Sequence, residues 1–284
     1  MPELPEVETI ARSLAPRLAG RAIAAIDLVY RPLLRTGGPK GLEALRGRRV
    51  LGVRRRGKML LIELDGARTL VFHLKMTGQF LFAKEGTQRD KHVRLVIRFA
   101  DGREELRFRD VRKFGFLLCL EGRPESACEE LACLGPEPLE VGLPEFRAIL
   151  KARRGRIKSV LLDQTRIAGV GNIYADESLF DAGIHPETPA SSLRSVRAQR
   201  LYGALRKILS AAVEAGGSTL TDASYHDAAG NAGEFQFEHR VYDRTGEPCT
   251  VCGTPVRMKR IGGRSSHFCP RCQRRRDGAP SGPV

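Results

Sequence analysis

Met59-Leu60-Leu61-Ile62-Glu63-Leu64-Asp65-Gly66-Ala67-Arg68-Thr69-Leu70-Val71-Phe72-His73-Leu74 reads as two short strands parted by an Asp-Gly break. Asp-Gly is a strong turn signal between such runs and predicts an antiparallel hairpin. The same rhythm, short runs alternating apolar and polar residues, extends from about Arg21 to Leu120. Val93–Phe99 and Gly115–Leu120 are further examples, and Asp101-Gly102 is another break. The stretch therefore predicts an all-β domain, read as a sandwich. Upstream, Pro5 to Leu18 predicts one leading helix, with Val7, Ile10, Ala11, Leu14 and Leu18 on one face and Pro5 in the first turn.

Downstream the pattern changes. Leu134-Gly135-Pro136-Glu137-Pro138-Leu139 is Pro-rich and reads as an interdomain hinge. Helical patterns follow over Pro144–Lys151, Ile157–Gln164, Ile173–Asp181 and Ser195–Ala215, the last ended by Gly216-Gly217. The polar segment Thr221–Gly233 has no clear periodicity and reads as a mobile loop. Four cysteines then form Cys249-x2-Cys252 and Cys269-x2-Cys272, sixteen residues apart, the spacing of a tetrahedral structural zinc site. Two disulfides or an iron–sulfur centre are the alternatives. Cys119, Cys128 and Cys133 are scattered and read as buried or inert thiols. The whole is an α+β multidomain chain with a C-terminal four-cysteine zinc hairpin.

At 284 residues the chain has room for two cores. It carries 48 Lys+Arg against 33 Asp+Glu, a net charge of +15, which points to a polyanionic partner, nucleic acid before an acidic membrane surface. No run of about 18 apolar residues occurs, so no membrane span is expected. The acidic N-terminus lacks a basic-then-apolar leader, which predicts a cytoplasmic protein.

Several short stretches carry chemistry. In Met1-Pro2-Glu3-Leu4-Pro5-Glu6, the small second residue favours removal of Met1, which would leave Pro2 as a free secondary amine. An α-amino group titrates near ~8, so a usable fraction is a neutral nucleophile that can form a Schiff base. Glu3 places a carboxylic acid beside it, and a helix N-terminus favours both the neutral amine and an ionised Glu3. The alternative is an ordinary helix start. Arg54-Arg55-Arg56-Gly57-Lys58 puts four cations at a turn, either a solvated hairpin or phosphate contacts with Lys58 as a catalytic cation. In His73-Leu74-Lys75-Met76-Thr77-Gly78, Met76 is either core or a wedge that enters a base stack. Arg107-Phe108-Arg109-Asp110-Val111-Arg112-Lys113-Phe114-Gly115 alternates cations with aromatics, as stacking plus phosphate contact would require, or as a guarded sheet edge would. Gly169-Val170-Gly171-Asn172 opens a helix, with Asn172 as N-cap, and would expose N–H groups to a phosphate. Gly262-Gly263-Arg264 would present Arg264 on a hairpin tip.

Together these motifs resemble the formamidopyrimidine-DNA glycosylase family of bacterial base-excision repair enzymes, from Pro2 to about Gln273. The resemblance rests on Pro2 to Glu8, Arg56-Gly57-Lys58, Asp110-Val111-Arg112-Lys113-Phe114-Gly115, Leu134 to Leu139, Gly169 to Tyr174 and Cys269-Pro270-Arg271-Cys272. It implies a β-sandwich with a leading helix, a helix–two-turn–helix domain and a zinc hairpin. It implies that Pro2 attacks C1′ of a damaged nucleotide, that Glu3 moves protons, that Lys58 assists β-elimination, and that Arg264 holds the lesion phosphate and supports δ-elimination. By the same resemblance Met76, Arg112 and Phe114 fill the gap left by a flipped base. Lys58, His73, His92, Arg154, Lys158, Asn172 and Arg264 would line the DNA path. One zinc ion on Cys249, Cys252, Cys269 and Cys272, double-stranded DNA with a damaged base or abasic site as partner, and a monomeric, nucleoid-associated protein complete the expectation.

The expected divisions are 1–133 for the catalytic sandwich, 134–143 for the hinge, 144–239 for the helical domain with a lesion-covering loop at 218–236, 240–274 for the zinc finger, and a disordered tail at 275–284. Thr221–Gly233 is slightly long and divergent for that loop, which leaves the choice between 8-oxoguanine and ring-opened purines open. Three rivals remain: an endonuclease VIII-like glycosylase for oxidised pyrimidines, a damaged-DNA-binding protein without catalysis, and a ribosomal or RNA-binding zinc protein. The Leu4-Pro5 opening and Arg112-Lys113-Phe114 favour the purine-directed branch over the first. Intact Pro2, Glu3 and Lys58 argue against the second, and the third leaves the Pro2-Glu3 terminus unused.

Overall fold

The structure, a computed structural model, describes residues 1–152, 155–220 and 225–275. The chain divides into two compact units, Met1–Leu134 with Ala212–Gln236, and Gly135–Ala211 with Phe237–Val284.

The first unit begins with α1 (Leu4–Leu18). Glu3 is its N-cap, the Glu6 carboxylate accepts the Glu3 N–H at 2.8 Å, and Pro5 sits where no N–H is needed. The predicted apolar face, Val7, Ile10, Ala11, Leu14 and Leu18, is buried. Nine strands follow: β1 (Ile23–Leu28), β2 (Leu34–Thr36), β3 (Val50–Arg56), β4 (Met59–Leu64), β5 (Arg68–His73), β6 (Gly78–Ala83), β7 (Val93–Phe99), β8 (Glu105–Asp110) and β9 (Phe116–Glu121). They form a five-stranded sheet, β2-β9-β5-β4-β3, and a four-stranded sheet, β1-β7-β8-β6. The expected hairpin is present, with Leu64 opposite Arg68 and Gly66 and Ala67 at positive φ in the turn.

One detail departs from the alternating pattern. Met59–Leu64 is apolar almost throughout because its sheet is covered on both faces. Leu60, Ile62 and Leu64 join the main core with Leu70 and Phe72. Met59 and Leu61 pack on the other side with Val71, Leu118, Cys128 and Leu131. Cys128 lies between the short helices α3 (Pro124–Ala127) and α4 (Glu129–Ala132), and Leu131 is in α4. These helices and α2 (Gly38–Glu43) are too short to show a period in sequence.

A second departure concerns the segment expected to belong with the helical domain. Residues 212–236 group with the sandwich. Tyr225 and Ala228 are buried in its core, the Ser218 N–H donates to Glu6 Oε1 at 2.8 Å, and the Ala228 N–H donates to Ser13 Oγ at 3.2 Å. Two apolar side chains in a polar stretch carry no periodic signal, which is why the segment read as a free loop. Residues 221–224 of that loop lie outside the described residues, as do Arg154 and tail residues 276–284.

The second unit contains α5 (Leu143–Lys151), α6 (Ile157–Leu162), α7 (Asn172–Asp181), most of α8 (Ser195–Glu214), and the hairpin of β10 (Arg257–Ile261) and β11 (Arg264–Phe268). The segment expected as a hinge opens at the unit boundary, and Gly135 is there for steric reasons. A Cβ at that position would fall 2.4 Å from the Arg166 carbonyl carbon. Its N–H donates to the Gln164 carbonyl at 2.9 Å.

Candidate active site and metal centre

In the first unit, Pro2 and Glu3 are buried at the start of α1, with Met1 exposed above them. α1 packs on β3 and β4, so its N-terminus shares a scaffold with the Gly57 turn that carries Lys58. Gly57 has φ +58°, a conformation L side chains rarely adopt, and buried Lys58 follows at once. The three arginines before the turn are anchors rather than a row of free phosphate ligands. Arg54 bonds Glu63 at 2.6 Å and Glu125 at 2.8 Å, Arg55 reaches Glu8 of α1 at 3.1 Å, and Arg56 donates to the Leu134 carbonyl at 3.0 Å.

His73 ends β5 with its ring 5.3 Å from that of Phe116, and its Nδ1 accepts the Lys75 N–H at 3.1 Å. Burial, then the charges of Lys75, Lys58 and Arg35, push its pKa down to about 3. The imidazole is therefore neutral at pH 7, with its proton on Nε2 as a donor. Burial and Arg35 also lower the Lys75 pKa. Half-buried His92 stands with Nδ1 3.4 Å from Arg94 Nη2, on the surface of the four-stranded sheet.

Met76, Arg112 and Phe114 come from two different loops and meet at the surface. Arg112 Nη1 lies 3.0 Å from Met76 Sδ, and its guanidinium is 4.7 Å from the Phe114 ring centroid. Met76 is 37% and Phe114 50% exposed, so neither is a core residue.

In the second unit, Arg264 is exposed just past the Gly262-Gly263 turn, whose two positive φ values match a tight hairpin. Asn172 is the first residue of α7 rather than its cap, which is Gly171. Its Nδ2 donates to Ser265 Oγ at 3.2 Å, while its buried Oδ1 has no hydrogen-bond partner. The expectation that Lys158 lines a DNA path needs correction. Its side chain is fully buried, with Nζ 2.7 Å from Asp176 and bonded to the Ser265 carbonyl. Asp176 also accepts the His267 N–H at 2.9 Å. Lys158 thus supports the hairpin that carries Arg264 instead of meeting solvent. Sequence reading missed Asp176, and also Glu177, whose carboxylate accepts the N–H groups of Arg240, Val241 and Tyr242. Acidic residues inside a helical run carry no sign of such buried partners. Burial raises the Glu177 pKa against the pull of those bonds.

The four sulfurs of Cys249, Cys252, Cys269 and Cys272 lie within 4.8 Å of one another. Cys249 and Cys272 are 3.9 Å apart, Cys252 and Cys269 3.5 Å. Thiolates bound at ~2.3 Å around a tetrahedral zinc stand ~3.8 Å from each other, so the set fits one structural zinc ion and leaves no open ligand position. Of the other cysteines, Cys119 and Cys128 are buried, and burial raises both pKa values. Cys133, the C-cap of α4, is exposed and so is not one of the buried thiols.

Sandwich, helical unit and four-thiolate hairpin together define a multidomain zinc-finger protein. Residues 1–117 match the formamidopyrimidine-DNA glycosylase N-terminal domain, 134–224 the formamidopyrimidine-DNA glycosylase H2TH domain, and 246–275 the zinc finger found in FPG and IleRS. The formamidopyrimidine-DNA glycosylase of Solibacter usitatus is 50% identical over 276 residues, 97% of this chain and 100% of that protein. Two solved structures of Lactococcus lactis Fpg, one a mutant with a Fapy-dG containing DNA and one with an abasic site containing DNA, superpose with TM-scores of 0.89. Each is 36% identical and covers 96% of this chain and 100% of its own. This chain belongs to the formamidopyrimidine-DNA glycosylase family. No described helix is long and apolar enough to cross a membrane.

Proposed function

We propose that this protein is a bifunctional DNA glycosylase and AP lyase of base-excision repair, directed at oxidised purines in double-stranded DNA. The observation that carries the reading is the Pro2-Glu3 pair, buried at the N-terminus of α1 on the scaffold that also presents Lys58. Once Met1 is removed, the Pro2 nitrogen is a secondary amine with a lone pair. The positive end of α1 favours its neutral, nucleophilic form.

The chemistry follows from that amine. Its lone pair attacks C1′, the C1′–N bond breaks, and the electron pair leaves with the base, which takes a proton. The attacking nitrogen loses its own proton, then expels O4′ to give an iminium at C1′, while Glu3 delivers a proton to O4′. The iminium acidifies the C2′ proton. Its loss expels the 3′-phosphate from C3′, with Lys58 as proton donor in that β-elimination. A second, δ-elimination expels the 5′-phosphate, with Arg264 holding the phosphate group.

The remaining residues take supporting roles. Met76, Arg112 and Phe114 fill the space of the extruded nucleotide, since paired DNA must be unstacked before its C1′ is reached. Neutral His73, His92, Asn172 and Arg264 donate to backbone phosphates, and Lys158 serves through the hairpin that it supports. Arg154 is assigned to the DNA path by family likeness alone. The +15 charge suits a monomer working on the bacterial nucleoid in the cytoplasm. Product analysis tests the reading. Duplexes carrying 8-oxoguanine or a formamidopyrimidine should lose the base and yield phosphates at both ends of a one-nucleotide gap. Preference for oxidised pyrimidines would move the protein to the endonuclease VIII-like reading, and binding without cleavage would make it a damage-binding protein.

A further inference from the structure

The two loops that carry Met76, Arg112 and Phe114 share one buried anchor. Asp110, the last residue of β8, is fully buried. Its Oδ1 accepts the Thr77 hydroxyl at 2.5 Å and its Oδ2 accepts the Gly115 N–H at 2.8 Å. The same Thr77 oxygen accepts the Arg112 N–H at 3.0 Å. One carboxylate therefore reaches the loop of Met76 through Thr77, and the loop of Arg112 and Phe114 from both ends. The backbone of Asp110 is itself held, its carbonyl accepting from the Arg94 side chain (Nε) at 2.9 Å and its N–H donating to the His92 carbonyl at 2.9 Å.

Backbone strain marks the same place. Only four non-glycine residues in the described chain have positive φ, and two of them are Lys75 (φ +50°) and Lys113 (φ +59°). Each immediately precedes an exposed hydrophobic residue, Met76 or Phe114. Left-handed lysines are unfavourable and persist only where surrounding contacts over-determine them. The loop ends are closely packed at both glycines. A Cβ at Gly78 would fall 2.6 Å from the Leu74 carbonyl oxygen, and one at Gly115 3.1 Å from Asp110 Oδ2.

We propose that Asp110 is a positioning residue for base extrusion: through the Thr77 hydroxyl and the Gly115 amide it holds Met76, Arg112 and Phe114 in the arrangement that replaces the flipped nucleotide. The inference rests on the reading of these three side chains as a wedge. A wedge ordered before it meets DNA avoids the entropic cost of ordering at the moment of insertion. A carboxylate suits the task because both of its oxygens accept. An asparagine would turn an N–H toward one of the two donors.

Thr77→Val tests this directly, because it keeps the side-chain volume and removes the relay. Asp110→Asn is the companion variant, and Thr77→Ser should restore the relay. Amide hydrogen exchange by NMR reports the clamp without reference to activity: Arg112 N–H should exchange at least about tenfold faster in Thr77→Val, as loss of one hydrogen bond implies, and Thr77→Ser should match the parent. Single-turnover excision from a paired 8-oxoguanine duplex should fall about tenfold in Thr77→Val. Nicking of an abasic-site duplex should stay within about twofold, since no paired base need be extruded there. Unchanged Arg112 exchange, equal loss on both substrates, or a Thr77→Ser variant as impaired as Thr77→Val would overturn the proposal. If the amides respond while Phe114→Ala excises as well as the parent, the wedge reading fails and takes this inference with it.

Discussion

The two units hold their functional residues by different physics. In the sandwich, an apolar core on both faces of the five-stranded sheet fixes the strands, and reactive or exposed groups stand at strand and helix ends. In the zinc hairpin, four of the five β10 residues are exposed and only Ile261 is buried. That hairpin is organised by four thiolates, by Lys158 and Asp176, and by Asn172 on Ser265. Hydrophobic burial is non-directional and tolerant, whereas a metal or buried ion pair is all-or-none. The position of Arg264 should therefore be far more fragile to single changes than that of Lys58.

The largest expected effect comes from the metal. Chelation or Cys269→Ser should release zinc and remove on the order of 10 kcal/mol of hairpin-organising free energy. Elemental analysis and DNA-binding titrations should show metal and affinity lost together, with the melting of the sandwich unchanged. Full affinity in a metal-free protein would erase the contrast.

Next is the buried pair. Lys158→Met leaves Asp176 buried without its cation and should cost about 3–5 kcal/mol, whereas adding Asp176→Leu should recover much of that. In the sandwich, Phe72→Ala should cost a similar ~3–5 kcal/mol, with no polar partner whose removal could compensate. Denaturant melts of the three variants measure the difference.

Acid should affect both units. Burial pushes His73 down to about 3 and His239 to about 4. Above pH ~6.5 both folded and unfolded imidazoles are neutral and contribute nothing to the pH dependence. As pH falls below that, the unfolded chain takes protons that the folded one refuses, so stability is lost down to about pH 3 for His73 and pH 4 for His239. The slope is at most ~1.4 kcal/mol per pH unit per residue. His73→Gln should flatten the curve between pH 6 and 4 by up to that amount, and an unchanged curve would mean the ring is solvated.

The smallest effect is expected at Met76 and Phe114. Met76→Ala and Phe114→Ala should each change stability by less than about 0.5 kcal/mol, as surface substitutions do. A melting shift corresponding to ~2 kcal/mol or more would place either residue in a core.

In both units, features bounded by local sequence signals were legible. Met59–Leu64 and Val93–Phe99 are strands over the span the sequence predicts, the first set off by Gly57 and Asp65-Gly66 and the second ended by Asp101-Gly102. The long helices also lie within a residue or two of their predicted ends. The zinc ligands were legible from spacing alone. Other features were not, because they depend on partners distant in sequence. Lys158 looks like any basic surface residue until Asp176 and Ser265 are placed beside it. Arg54–Arg56 read equally as a solvated hairpin or as phosphate ligands until Glu63, Glu125, Glu8 and the Leu134 carbonyl are placed around them. Tyr225 gives no periodic sign of its place against α1.

The identity of the nucleophile is the central claim, and borohydride trapping tests it most directly. The protein is incubated with an abasic-site duplex, reduced, digested, and the cross-linked peptide sequenced. The account predicts one adduct, on the nitrogen of Pro2 in a chain that has lost Met1. An adduct on Lys58 or any other lysine, or undiminished cleavage by a chain with a blocked N-terminus, would contradict it.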